Sequence, residues 1–489
     1  MPATRPCFGL ATAGRTCYHG LARIFLDGDD PAVQKRPDLG SGAVGRLMVR
    51  LAVPTITAQL VNMLYNLVDR VYIGHIPGIG TEALTGVGVC LPIITMVSAF
   101  AALAAMGGAP LASIELGKGD RDRAERILGS CAALLVCMSA VLTAALAIWH
   151  RPMLLAFGAN EDTILYAARY MRIYCMGTLF VQLSLGLNAF ITAQGFTTVS
   201  MLTVLIGALL NTVLDPLFIF VFGMDVQGAA LATVISQAVS AVWVVLFLRG
   251  RKATLRLTPA RFRLDWPLLR RSIALGVSPF IMQSTDSLMN VCFNSSLLHY
   301  GGTMAVGAMT ICSSAMQFVL LPISGLIQGA SPIISYNYGA GNASRVKQAF
   351  RLLLICCVAY STAMWAVTTF APQVFVSLFT PDPALRAYAA PCLRLYMCAI
   401  LIFGAQCACQ NTFVALGNAK CSFFLACLRK LILLIPLIYL LPHFFEDKVM
   451  AVFLAEPVAD VLAVSTTVIM FTVVFRKTMR RLEARDAHT

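Results

Sequence analysis

Apolar residues run along this chain in long blocks, broken by short polar joints, and the few polar positions inside the blocks recur at helical rather than alternating spacing. The blocks begin near Leu47, Glu82, Ala124, Thr163, Thr197 and Gly228, and again near Leu268, Met304, Val346, Ala384, Asn418 and Met450. Each is long enough to cross a bilayer, which takes roughly 20 apolar residues. The pattern predicts an all-α polytopic membrane protein with twelve transmembrane helices.

The first block carries the clearest polar stripe. Within Leu51–Gly74, Gln59, Asn62, Asn66 and Asp69 stand at i, i+3, i+7 and i+10 and share one helical face. An acid inside a membrane costs roughly 3 kcal/mol and is normally kept where it faces a cavity or a partner. The stripe therefore reads as the wall of a polar pathway, the plainer alternative being an interfacial acid beside Arg70. A second stripe lies in Leu275–Leu297, where Gln283, Asp286, Asn290 and Asn294 follow Pro279 as the first stripe follows Pro54. Gln59 matches Gln283, Asn62 matches Asp286 and Asn66 matches Asn290, each 224 residues on.

Other pairs repeat at nearly the same offset. Asp120–Arg123 matches Asn342–Arg345, and Tyr166, Tyr174 and Gly195 match Tyr388, Tyr396 and Gly417, all 222 residues on. Two six-helix lobes in the same orientation follow, a parallel internal repeat of the kind that builds secondary transporters. Residues 1–46 form a polar leader expected to be disordered, or to come from an early start codon. The first lobe is expected over 47–249, a basic linker over 250–267, the second lobe over 268–476 and a tail over 477–489.

Composition narrows the function. The 489 residues are 58% hydrophobic and only 12% charged, about half the charged share of a soluble domain. The net charge of +14 sits at the ends of the apolar blocks, so it signals topology rather than a nucleic-acid surface. Arg249–Arg271 alone holds eight basic residues, and further Lys and Arg fall after the second and eighth blocks and in the tail, whereas the alternate joints are acidic. By the positive-inside rule both termini and the linker are cytoplasmic. Sixteen cysteines lie mostly within apolar runs, without the spacing of a disulfide framework. No GxxxxGK[ST] loop, metal-ligand cluster or catalytic carboxylate pair is present. An enzyme, a receptor with a sizeable soluble domain and a transporter with its own ATPase all lack support.

A second constellation stands in the fifth block, Gly207–Pro216. Asn211 and Asp215 are four apart and share a face, and Pro216 removes a backbone donor beside them. A carboxylate, an amide oxygen and freed carbonyls suit a hard cation or a proton. The topology puts Asp69, Asp215, Thr233 and Tyr170 at one depth, in the outer half of the first lobe, where they can form a single pocket.

Pro54 with the run Leu64–Gly74, the Gly117–Asp120 turn and Gly207…Asn211…Asp215–Pro216 together resemble the MATE (multidrug and toxic compound extrusion) family over about Leu47 to Arg476. That resemblance implies efflux of amphipathic, often cationic drugs in exchange for Na⁺ or H⁺, with no other cofactor, in a plasma membrane and as a monomer. It implies a cation site at Asp69, Asn211, Asp215 and Thr233, with Tyr170 and Asn188 nearby. Gln59, Asn62 and Asn66 would line the adjoining cavity. Lobe 2 departs from the branch of the family that has acids in both its seventh and tenth spans. Here span 7 offers Asp286 with Gln283 and Asn290, and span 10 offers only Gln406 and Gln410. Asp286 is left with two uses, meeting a cationic substrate or sitting protonated in a packing seam. Arg429 and Lys430 are expected to snorkel to the inner interface. The alternative function is a flippase or exporter of a lipid-linked or metabolite substrate, which would call for clustered Arg or Lys in the cavity.

Overall fold

The structure, a computed structural model, describes residues 38–486. In the first lobe α1 (Val44–Gly74), α2 (Gly80–Gly117), α3 (Arg121–Ala156), α4 (Ile164–Met176), α5 (Thr178–Ala193), α6 (Thr197–Pro216) and α7 (Asp225–Arg249) follow in order. The second lobe contains α8 (Trp266–Gly339), α9 (Ala343–Phe370), α10 (Pro372–Ser377), α11 (Pro383–Tyr396), α12 (Ile400–Ala415), α13 (Ala419–Cys427), α14 (Ile435–Leu440) and α15 (Lys448–Asp486). Residues 1–37 of the expected leader lie outside the described residues, and residues 477–486 continue α15 instead of leaving it as a tail.

Among the described residues nine helices are long and apolar enough to span a membrane, and two bent pairs, α4–α5 and α11–α12, each add one span. The 74-residue α8 would be about 110 Å long, far more than one bilayer. It breaks at Gly302, whose φ of 63° and ψ of −158° leave helical space. It is two spans, and the total is twelve. The fourth and tenth spans, read as continuous from their hydropathy, are bent by 59° and 48°. Gly177 marks the first bend and Met397–Ala399 the second.

The repeat appears in the backbone itself. Gly119 and Gly341 adopt left-handed φ of 82° and 85°, as do Gly195 and Gly417 at 85° and 73°. After the first pair, Asp120 caps α3 through the Arg123 amide at 2.9 Å, and Asn342 caps α9 through the Arg345 amide at 3.1 Å. One turn design, a left-handed glycine followed by a side-chain cap, thus starts the third span of each lobe.

The lobes meet toward the end that carries the basic joints. Gly107 and Gly276 let α2 and α8 come into backbone contact, and Gly117 and Gly339 do the same one layer nearer that end. On α1, Ala52 and Ile56 abut Gly329 and Gly325 of α8. Thr55 Oγ1 donates to the Gly325 carbonyl at 2.6 Å. Any Cβ at these glycines would strike the other lobe's backbone or Cα. Beyond this seam the facing sides of α1 and α8 become exposed at Asn62, Asn66, Asp286 and Asn290. A central cleft of about 410 Å³ lies between the lobes there.

Lobe 1 has two apolar cores rather than one. One, near the basic end, centres on Leu128, Leu187, Phe190 and Leu248; the other, toward the opposite end, on Ile73, Leu154, Met171 and Ile219. A polar layer separates them.

Candidate functional site

That layer is where the first lobe gathers its polar side chains. α6 supplies Asn211 and Asp215, one turn apart and 2% and 0% exposed. The helix ends at Pro216 and continues as a π turn over Leu217–Val221, so the loosening expected of the proline is present directly after Asp215. Asn211 Nδ2 donates to Asp215 Oδ1 at 3.1 Å and to Thr233 Oγ1 of α7 at 3.4 Å. Thr233 Oγ1 in turn donates to the Ala229 carbonyl at 3.0 Å, and Tyr170 of α4 lies beside it. Thr233 therefore orients the Asn211 amide, whose own donors are used, and leaves the amide oxygen free.

Asp69 reaches this group from α1, where its carboxyl faces that of Asp215. Three buried oxygens on these contacting side chains, Asp69 Oδ1, Asn211 Oδ1 and Asp215 Oδ2, have no hydrogen-bond partner. Buried polar atoms are nearly always satisfied, and two facing carboxylates repel unless a positive species lies between or on them. Two carboxylates and an amide oxygen are donors that suit a hard cation or a proton. The expected first-lobe constellation is brought together, with Thr233 as its orienting member.

The remaining predicted residues divide between two connected spaces. A cavity of about 50 Å³ is walled by Asn62, Tyr65, Asn188, Asn211 and Thr233, and Asn62 and Asn188 also face the central cleft. Gln59 lines the cleft alone. Asn66 is exposed and donates to the Asn62 carbonyl at 2.6 Å, so it stands above the pocket rather than in it. Asn188 donates to the Ser200 carbonyl at 3.3 Å and keeps its own oxygen free.

Several members of the layer went unread in the sequence. Tyr65 lies beside both acids and lines the small cavity. Ser184 donates to Gln237 at 2.5 Å, and Gln182 to the Val97 carbonyl at 2.8 Å. The signal was available: Thr233, Ser236, Gln237 and Ser240 share a face of α7 at helical spacing, as Ser184 and Asn188 do on α5.

Lobe 2 differs from expectation. Arg429 and Lys430 do not snorkel to an interface; they sit buried in a π turn, Leu428–Leu434. Lys430 Nζ pairs with Asp286 and donates to the Met282 carbonyl at 2.6 Å. Arg429 pairs with Glu456 at 2.8 Å and with Asp460 at 2.6 Å. Asp286 therefore has a lysine partner, which neither of its two expected uses included. The two acids of α15 both pair with Arg429, a cation the apolar interior would otherwise expel. Gln283 and Gln410 line the cleft, Gln410 reaching Met282 Sδ at 3.3 Å. Asn290 is exposed and bonds the Asp286 carbonyl at 3.1 Å, and Gln406 is buried with its oxygen free.

Twelve spans in two matched lobes, a central cleft and a small polar cavity beside it, with two acids buried next to Asn211 in its wall, define a membrane transporter of the two-lobe type. The model of the MatE family matches residues 54–217 and 280–440, and the chain belongs to that family. It is 24% identical over 427 residues to the multidrug export protein MepA of Staphylococcus haemolyticus, covering 86% of this chain and 92% of the relative. It is 26% identical over 442 residues to the FAD transporter of Shewanella oneidensis, covering 88% and 95%. Among solved structures, the MATE multidrug transporter DinF-BH superposes with a TM-score of 0.82 at 30% identity, covering 90% of this chain and 98% of that one. MATE in its bent conformation superposes with a TM-score of 0.84 at 21% identity, over 91% and 98%.

Proposed function

We propose that this chain is a secondary multidrug antiporter that exports amphipathic organic cations in exchange for Na⁺ or H⁺ bound at Asp69, Asn211 and Asp215. The observation that carries the reading is the set of three partnerless oxygens on side chains in contact, two of them on facing carboxylates. A bound cation satisfies all three and draws α1 toward α6. The π turn after Pro216 is the element able to absorb that movement, and α1 also forms the lobe seam through Thr55. Occupancy of the pocket thereby biases the seam. Both termini then lie in the cytoplasm of a plasma-membrane monomer, with the cleft open outward.

The lining of the central cleft is uncharged and offers nothing to hold an anionic substrate. Amides, hydroxyls, methionine and aliphatic side chains form it, and none of its described lining residues is Lys or Arg. A phosphate-bearing lipid or nucleotide would call for such a cation.

The test is ethidium efflux from proteoliposomes under an imposed Na⁺ gradient and then an imposed pH gradient, for wild type, Asp69→Asn and Asp215→Asn at matched protein. One gradient is expected to drive efflux in wild type and in neither variant. Absence of gradient-driven efflux for any amphipathic cation in wild type contradicts the multidrug reading and favours a lipid or metabolite exporter.

A further inference from the structure

The second lobe buries a charge cluster that the first-lobe pocket does not use. Asp286 comes from α8, Arg429 and Lys430 from the π turn between α13 and α14, and Glu456 and Asp460 from α15. Three carboxylates face two cations, so the cluster is one positive charge short. The deficit shows in the bonding. Arg429 serves two acids at once, and Glu456 Oε2 is buried with no partner on a side chain only 4% exposed.

The two ends of the Asp286–Lys430 pair are unequal. The Asp286 side chain is 55% exposed and that of Lys430 only 6%. Met282 and Gln283, one turn earlier on the same face of α8, line the central cleft. A solute that reaches this face of α8, one turn beyond the cleft lining, meets the carboxylate before the ammonium. Lys430 also has a second acid close by, since Glu456 bonds Arg429, its neighbour in the same π turn.

We propose that Asp286 is a binding site for a monovalent organic cation and that Lys430 is the tethered ammonium the cation displaces. The arriving cation takes Asp286, Lys430 turns to the free oxygen of Glu456, and Arg429 keeps Asp460. Each acid then has one positive partner, and the missing charge is supplied by the ligand. The site selects single positive charge: a neutral solute leaves Lys430 on Asp286, and an anion meets the carboxylate. Met282 and Gln410, in contact beside the pair, give the cation a soft and polar wall. The inference rests on the reading of this chain as an organic-cation transporter, and it assigns the second lobe a substrate role while the first lobe holds the coupling ion.

Equilibrium binding of tetraphenylphosphonium and of ethidium to the purified full-length protein, at fixed pH and Na⁺, tests it. Lys430→Gln removes the competitor and is expected to tighten binding about tenfold, and Asp286→Asn to weaken it by a similar factor. Glu456→Gln is the decisive variant, because Glu456 is out of reach of the cleft. It removes the destination of Lys430 and is expected to weaken binding, an effect that disappears in the Lys430→Gln background. If Lys430→Gln does not fold, Asp286→Asn serves as the second background, since there Lys430 is already free to reach Glu456 and Glu456→Gln again has no further effect. Wild-type affinity in Glu456→Gln, or the same loss in both backgrounds, overturns the displacement. Binding needs no gradient, so failure of first-lobe coupling leaves this test readable, and failure here leaves gradient-driven efflux standing.

Discussion

Asp215→Asn separates the energetics of the first-lobe pocket from its fold. The variant keeps the shape of the side chain and replaces a carboxylate that faces Asp69 with an amide able to donate. Asp69 Oδ1, buried without a partner, then gains one, which stabilises the cation-free protein by about 1–3 kcal/mol. The cation loses one of two charged ligands, about 2–3 kcal/mol, or roughly 30–150-fold in affinity. Thermal unfolding of the purified protein, followed across a Na⁺ titration at fixed pH and a pH titration at fixed Na⁺, reads both effects. Wild type is expected to gain about 2.7 kcal/mol at a cation concentration near 100 times its dissociation constant. The variant is expected to unfold at higher temperature without cation and to show almost no cation-dependent rise. A variant that is destabilised without cation, yet rises with the wild-type midpoint, refutes the account of the three partnerless oxygens.

Further outcomes follow from other parts of the molecule. Gly276→Val puts two methyl groups and a Cβ against the Leu103 backbone at the lobe seam, an overpacking of about 1–3 kcal/mol; lowered thermal stability and lost transport are expected, whereas Gly88→Val, with open space around it, is expected to be silent. Arg429→Met leaves Glu456 and Asp460 unpaired and costs about 3–5 kcal/mol, so size-exclusion chromatography should show little monodisperse protein. Adding Glu456→Gln and Asp460→Asn to it is expected to restore the peak. Arg345 holds the segment before α1 through the Ser41 and Gly42 carbonyls at 3.0 and 2.7 Å. Arg345→Ala should therefore cost that segment about tenfold in hydrogen-exchange protection, near 1.4 kcal/mol. In the same segment the Ser41 hydroxyl and Gly40 amide hold Asp38 below the usual carboxylate range. Its contribution is complete above about pH 4 and is lost as the pH falls through the lower folded value, so hydrogen exchange there should rise only in strong acid.

The sequence carried much of this structure because the bilayer leaves few options. Apolar length predicts spans, and Gly119, Gly195, Gly341 and Gly417 had to repeat because the same left-handed turns repeat. The first-lobe pocket was readable because Asn211 and Asp215 are neighbours on one helix and Asp69 an acid within another. The bends at Gly177 and Met397–Ala399 were not, since apolar residues flank both and hydropathy runs on through the breaks. The fate of Lys430 was hidden for a different reason. Its partner Asp286 is 144 residues away, and no helical periodicity links them. Glu456 and Asp460, four apart in an apolar span, were a visible sign that buried cations needed partners, and the pattern of the second lobe turns on them.

The central claim is that the first-lobe pocket binds the coupling ion and that this ion and the drug weaken each other. Ethidium affinity of the purified protein, measured with and without saturating Na⁺ and at two pH values, tests it most directly. The account predicts that one of the two ions lowers ethidium affinity, that ethidium lowers the affinity for that ion by the same factor, and that Asp215→Asn abolishes both effects. Ethidium affinity unchanged by either ion in wild type contradicts it.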